Sequence, residues 1–567
     1  MTSVELKTLP IAYRLVVAGL AAALGAGPAV AQDSPSRSAE ILVYDDANRN
    51  RTLDPGESGI ADVPVSNGIE VITTDRDGRA RLAVVDGTVL FVIKPSTYRV
   101  PVNEVGVPQF HYVHRPLGTP GEIGLRYEGL TASGALPPQI EFPLWPGEAR
   151  QRFKAIFFAN TQPQSSIELD YLRDDVVAEL IGTDAAFGMT LGDIMYDDLS
   201  FWPRYNRIVS SIGVPWYNVP GNHDLNYEAP NDALSLETFK RHYGPTYYSF
   251  DEGSVHFVAL DNVIYFGRRN PGTDGGTPST RGKFAGGFTD EQMRWLRADL
   301  ALVDPGKLII LAMHMPLVDT QRRGQEMYHV LDSSVLFDIL KTRARVISFA
   351  GHSHLTQHHY FGPDEGYQGP SELHQHVLAT VSGGWWGGPF DLRGIPAADQ
   401  PDGTPNGYYV LDVDGENAIM RFKAASAPSD YQSRIMLVHG QDATLRANGD
   451  DRTPGETSLM SIRLGQVPAA RLLLNVFDGG PRTRVDVVIG RAAPVRMERR
   501  DAFDPVIDQS TVRNAASWKI RTRMLSTHIW NSSLPPTLEV GVHVVKVAMT
   551  DEYGQTHGDQ AILEVLP

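Results

Sequence analysis

Short runs in this chain carry residue types that bind divalent metal ions: Asn160-Thr161-Gln162, Gly192-Asp193 with Asp197 a turn later, Gly221-Asn222-His223-Asp224, an isolated His314, and Gly351-His352-Ser353-His354. Their side chains offer the oxygen and nitrogen lone pairs that such ions take. In the third run a metal-binding amide, Asn222, stands beside His223, an imidazole able to give up a proton. Read together, the runs spell a binuclear metal centre with an acid beside it. Read singly, each has a duller meaning, because Asn and Asp favour turns and a lone His after an apolar run is commonly a core or loop residue.

Position is what joins them. Each follows an apolar stretch of strand type, at residues 155–159, 187–191, 214–219, 308–313 and 346–350. Buried strands alternating with helical patterns form sheets whose carboxyl ends carry the ligands. After the first run, Ser165 with Glu168 predicts a capping box, and Tyr171, Leu172, Val176 and Leu180 follow at helical spacing. Strand, ligand loop and helix therefore come in βα order.

With 567 residues, 42% hydrophobic and 21% charged, the chain has material for two to four folded domains. A formal net charge of -16 argues against an extended nucleic-acid partner, which would be gripped by Lys and Arg. A small phosphate ester is not excluded, since metal cations create a positive pocket in an acidic protein.

Gly192-Asp193 with Asp197, Gly221-Asn222-His223-Asp224, His314 and Gly351-His352-Ser353-His354 resemble, in order and strand-end placement, the successive motifs of the calcineurin-like metallophosphoesterases. The resemblance runs from Asn160 through His354. It implies an α/β fold, a central two-sheet domain of αββα type. It further implies that Asp193 bridges two metal ions, that Asn222, His314 and His352 complete the second ion's shell, and that His354 with Asn160 and Gln162 holds the first. His223 resembles the family's general acid, with Asp224 expected to orient its ring. The reaction so implied is in-line attack of a metal-bound hydroxide on phosphorus, with Mn, Fe, Zn or Mg as the ions.

One departure stands in the first run. Where the family usually presents Asp-x-His, this chain has Asn160-Thr161-Gln162, so two amides replace a carboxylate and an imidazole. Amides bring no negative charge, which predicts one tightly and one weakly held ion.

The flanks read as β-rich. Strand-like stretches at 41–44, 69–73, 80–84 and 88–93 suggest a small β-sandwich over 32–148, and others at 472–477, 484–489, 537–540, 542–549 and 561–566 suggest a second over 416–567, leaving 149–415 for the catalytic domain. Asp46, Asn48, Asn50, Thr52, Asp54 and Glu57 fall at the ligand places of a calcium loop, with Arg51 where the turn-making Gly normally stands. That segment also resembles the Asp/Asn-rich loop opening the B-type β-sandwich repeats of bacterial surface proteins. A structural calcium ion and a plain Asx-rich turn are the two readings.

Lys7 and Arg14 precede an apolar run at 15–26, and Ala29-Val30-Ala31 fits a cleavage site, so 1–31 reads as a signal peptide and the mature chain as periplasmic or secreted without a membrane span. The absence of cysteine removes disulfides from consideration. Arg268, Arg269, Arg281 and Arg322 could grip a second phosphate, and Trp385-Trp386 on a glycine frame could wall a leaving group or pack the loop onto its neighbours. The leading reading is an exported phosphoester hydrolase, mono- or diesterase. Its rival is a phosphoesterase-fold protein whose altered first motif leaves it a binding or scaffold protein of the envelope.

Overall fold

Alternation along the strand Arg152–Phe158 sets the layering of the central region. Phe153, Ala155 and Phe157 enter one apolar core while Ile156 and Phe158 enter another, as side chains of period two must. A computed structural model describes residues 37–268, 282–438, 457–458, 460–507, 509 and 524–567. In it, two mixed sheets stack face to face. One is five-stranded, in the order Trp216–Val219, Phe187–Leu191, Arg152–Phe158, Gly407–Asp414, Asn417–Ala424, its first three strands parallel. The other is six-stranded, in the order Tyr248–Glu252, Val255–Leu260, Leu308–Met313, Arg345–Ala350, Leu373–Val377, Gln357–Phe361, parallel through its middle four.

Aromatic rings close the gap between the sheets. Phe157 meets Phe349 edge-on at 5.3 Å, and Phe187 meets Phe257 at 5.0 Å and Phe250 at 5.2 Å. Each such ring contributes roughly 1.5–3 kcal/mol by leaving water. The helices Ser166–Asp175 and Trp202–Ser210 cover the first sheet through Leu169, Leu172, Trp202, Tyr205 and Val209. Asp290–Ala301 and Ser334–Leu340 pack Trp295, Leu296, Leu336 and Leu340 into the core of the second. The fold is thus the αββα arrangement expected, with a β-sandwich on either side: two four-stranded sheets before it and two five-stranded sheets after it.

Local expectations need correction in places. Ser165 does cap Ser166–Asp175, but its side chain makes no capping bond; Glu168 instead accepts from the Gln164 backbone N–H at 2.6 Å, one residue outside the expected box. Residues 537–540 are not a strand: Pro536 and Thr537 form a turn that the Leu538 N–H closes onto Pro535 O at 3.2 Å, and the chain stays irregular up to Gly541. The strand Asn417–Ala424, placed beyond the boundary at 415, pairs along its whole length with Gly407–Asp414 as the edge of the first sheet.

The Asp46–Glu57 loop is closed by its own polar groups. Buried Asp46 accepts from the backbone N–H groups of Asn50 and Arg51 at 3.0 and 2.9 Å, Asn48 and Asn50 donate to Asp54 at 2.8 and 2.7 Å, Thr52 N–H donates to Asn50 at 2.8 Å, and Glu57 accepts from Ala47 and Asp54 at 3.0 Å each. Arg51, at the usual glycine place, does take the left-handed φ of 64° that a glycine would favour. Among the described residues no helix is long and apolar enough to cross a membrane. Residues 1–31, read as a signal peptide, lie outside the described residues.

Candidate metal centre

The carboxyl ends of both sheets deliver the polar runs to one rim. Asn160, Asp193 and Asn222 follow three parallel strands of the first sheet, and His314 and His352 follow two of the second. Asn160, Gln162, Asp193, Asp197, His352 and His354 all have positive φ, a concentration of backbone strain typical of a functional rim. Close approach explains two of the glycines. A Cβ on Gly221 would lie 2.4 Å from Asp193 Oδ1, and one on Gly351 would lie 2.4 Å from Asn160 Oδ1.

Around one oxygen of Asp193 the lone pairs crowd together. His314 Nδ1 donates to Leu191 O at 2.9 Å and His352 Nε2 donates to Met327 O at 2.8 Å, so each ring turns its other, unprotonated nitrogen inward. His314 Nε2 then sits 3.1 Å from His352 Nδ1, 3.0 Å from Asn222 Oδ1 and 3.2 Å from Asp193 Oδ1. Lone pairs facing one another at these distances repel unless a cation lies among them, so the residues fit a divalent ion with nitrogen and oxygen ligands.

The other oxygen has different company. Asn160 Nδ2 donates to Asp193 Oδ2 at 3.1 Å, and Gln162 Nε2 donates to the same atom. The orientation of Asn160 is fixed from behind, where its Oδ1 accepts the His352 backbone N–H at 2.7 Å. His354 Nδ1 donates to Gly383 O at 3.0 Å, so Nε2 is an acceptor that takes the Asn160 Nδ2 hydrogen at 3.3 Å and faces a second acceptor, Gln162 Oε1, at 2.8 Å. Asn160, Gln162 and His354 are thus brought to the rim, where amide hydrogens fill the Asp193 Oδ2 side and only Gln162 Oε1 and His354 Nε2 face each other as lone pairs. Two neutral donors with no free carboxylate oxygen make a poorer ligand set than the four atoms around Asp193 Oδ1.

His223 is oriented by a residue other than the one expected. Its Nδ1 lies 2.6 Å from Asp197 Oδ1, which also accepts from Tyr227 Oη at 2.9 Å, and its ring stacks on Tyr196 at 4.6 Å. Asp224 faces away from it and braces two loops, accepting backbone N–H groups from Ile194, Met195 and Gly221 at 2.9–3.2 Å. Burial and the neighbouring Asp193 charge push Asp224 up to about 8 against those three donors. The sequence signal for Asp197 was its place one turn after Asp193; adjacency to His223 pointed to Asp224 instead.

A cavity of about 1060 Å³ opens over the rim, lined by Asp193, Asn222, His223, His352, His354, Arg322 and Trp385 among others. Trp385 stacks on His354 at 3.9 Å and stands edge-on to Tyr196, so it walls the cavity. Trp386 does not: it is buried against Tyr171 under the first sheet, which splits the pair between the two roles weighed for both. Arg322 reaches the lining, held by Asp319 and by Ser353 O, and lies 4.3 Å over the Tyr328 ring. Arg268 is exposed and lies outside the lining, while Arg269 and Arg281 fall outside the described residues. Sequence reasoning missed the 324–328 loop and Met524 of the second sandwich, which also line the cavity, and no motif marks either.

Comparison with known proteins gives one family in three co-linear pieces. Sequence models for the N terminal of calcineurin-like phosphoesterase, for calcineurin-like phosphoesterase itself and for its C terminal match residues 47–122, 173–355 and 375–557. No curated protein matches. Among solved structures, a purple acid phosphatase from yellow lupin (Lupinus luteus) seeds is 12% identical, covering 65% of this chain and 69% of its own, at a TM-score of 0.34. A metallophosphoesterase from Sphaerobacter thermophilus is also 12% identical, covering 48% of this chain and 89% of its own, at 0.21. The three sequence matches, in order along the catalytic domain and both sandwiches, place the chain in the calcineurin-like phosphoesterase family.

Proposed function

We propose that the chain hydrolyses a small phosphoester using one firmly held divalent ion rather than two. The observation that carries this is the meeting of unprotonated His314 Nε2 and His352 Nδ1 with Asn222 Oδ1 and Asp193 Oδ1, beside an imidazole that opens to a large cavity. An ion of the Mn, Fe, Zn or Mg class held by those four residues would supply charge neutralisation on the phosphoryl group and an acidified water.

The chain's own residues account for the rest. Asp197, on Nδ1, leaves His223 Nε2 as the ring nitrogen that meets a ligand, so His223 protonates the departing oxygen. Arg322 adds positive charge to the lining without a flexible search, because Asp319 and Tyr328 hold it. Trp385 and Tyr196 supply an apolar surface for the leaving group. Export, as a periplasmic or secreted protein, belongs to the same proposal and is supported by the charged and apolar run at 7–26.

A second reading, a binding or scaffold protein without turnover, is favoured by the amides at Asn160 and Gln162. Assay of the purified chain with Mn, Zn or Mg on an aryl phosphate and a bis-aryl phosphate separates the two. Hydrolysis that vanishes with a chelator and returns with metal supports the enzyme. Silence in every metal from a folded protein supports the scaffold.

A further inference from the structure

Away from the catalytic rim, a second cluster of potential ligands lies where the six-stranded sheet meets the C-terminal sandwich. His358 and His376 are direct cross-strand partners on Gln357–Phe361 and Leu373–Val377, their rings stacked at 3.9 Å. Asp478, in the turn after the sandwich strand Arg471–Val476, points its Oδ1 at both, 2.8 Å from His376 Nε2 and 3.6 Å from His358 Nε2. Both imidazoles are shut off from solvent.

The hydrogen bonds around this cluster leave one atom unanswered. His376 Nδ1 meets Tyr553 Oη at 2.9 Å and His358 Nδ1 meets His374 Nε2 at 3.0 Å, while Tyr409 Oη donates to Asp478 Oδ1 at 2.9 Å. His358 Nε2, buried and aimed at Asp478, has no hydrogen-bond partner, and 3.6 Å is too long for one. What sets this atom apart is its aim: it is a buried lone nitrogen turned toward a carboxylate oxygen and beside a second imidazole. The outward nitrogens, held by Tyr553 and His374, match the outer support that metal-bound histidines receive.

We propose that His358 Nε2, His376 Nε2 and Asp478 Oδ1 bind a structural divalent transition-metal ion, zinc by ligand type, that fastens the C-terminal sandwich to the catalytic sheet. Two imidazoles and a carboxylate are a ligand set that zinc accepts, and the three atoms already lie within 4.8 Å of one another. The ion would enter as the sandwich docks, since Asp478 comes from one side of the junction and the histidines from the other. Leu373–Val377 leads directly into the loop that carries Trp385, so the fastening also steadies one wall of the cavity.

The test counts ions in the full-length chain after equilibration with zinc and removal of the excess. The expected count is two per chain in the wild type, one in His314→Ala, one in His358→Gln, and none in the double variant. His358→Gln should keep its hydrolytic activity, because this residue lies outside the catalytic rim. Retention of the full wild-type count in His358→Gln, or no ion in folded His314→Ala, overturns the proposal. Should His358→Gln fail to fold, cobalt titration of His314→Ala decides instead. A visible absorption band of low-coordinate nitrogen and oxygen ligation supports the site, and no band overturns it. Loss of the rim ion alone would count against the hydrolytic reading and leave this count at one.

Discussion

The two oxygens of Asp193 live in unlike neighbourhoods. Oδ1 accepts the His223 backbone N–H at 2.9 Å and faces His314 Nε2 at 3.2 Å within a set of side-chain lone pairs, whereas Oδ2 receives side-chain hydrogens from Asn160 and Gln162. The crowded side-chain lone pairs on the first side are what a cation would relieve, whereas the second oxygen is already answered by amide donors. The difference turns on a single atom exchange. With Asp at position 160, one oxygen would accept the His352 N–H and the other would face the ion; with Asn, the same backbone bond leaves only an N–H₂ to face it.

The strongest test of this contrast removes the lone-pair side. His314→Ala should lose the rim ion and depress hydrolysis by more than the ~10–100-fold that loss of an outer partner costs a metal site. Metal content and turnover of the same preparation check it; an unchanged rim ion would mean that the crowding at Oδ1 is not a ligand set. Next in size is His223→Ala, expected to slow poor alkyl leaving groups by roughly 10²–10⁴-fold while sparing activated aryl phosphates. Equal loss on both substrate types would remove His223 from the acid role.

Asp197→Asn should act on the same step more mildly, by about 10–100-fold, since it disturbs the ring's orientation and charge without deleting the ring. Asp224→Asn serves as its partner experiment. Because Asp224 braces the backbone of Ile194, Met195 and Gly221 instead of touching His223, its replacement should lower thermal stability and leave the leaving-group dependence of turnover intact. A melting curve and a leaving-group series read the two effects separately.

What the sequence made legible follows from how directly each feature depends on period and order. The strands at 187–191 and 308–313 coincide with Phe187–Leu191 and Leu308–Met313, because fully buried parallel strands read as unbroken apolar runs bounded by loops. The ligand runs at their ends were equally plain, since the parallel strands of a sheet share one carboxyl rim. Partnerships across the fold were not legible. Neighbouring residues suggested Asp224 for His223, but the left-handed turn at Asp197, φ 66°, brings that carboxylate to the ring instead. Nor could the sequence separate Trp385 from Trp386, whose opposite fates depend on which side of a glycine-framed loop faces the first sheet. The amide substitution at Asn160 and Gln162 was visible as a loss of charge; that the amide hydrogens would turn toward Asp193 depended on the His352 N–H behind them.

That last point gives the finest test of the contrast. Asn160→Asp changes one terminal atom and keeps the acceptor for the His352 N–H, so the fold should be unaltered. It removes the donor to Asp193 Oδ2 and adds a second negative oxygen beside it, within reach of His354. Two carboxylates so close repel strongly in a buried site, and a cation is the group that relieves them. The variant should therefore bind one more divalent ion per chain than the wild type under the same conditions, and paired manganese ions should show the spin coupling of a bridged site. Activity should rise modestly, since the lone-pair side is untouched. If the count does not change, the amide of Asn160 is not what sets the two halves apart, and Gln162, which also donates to Oδ2, becomes the residue to exchange next.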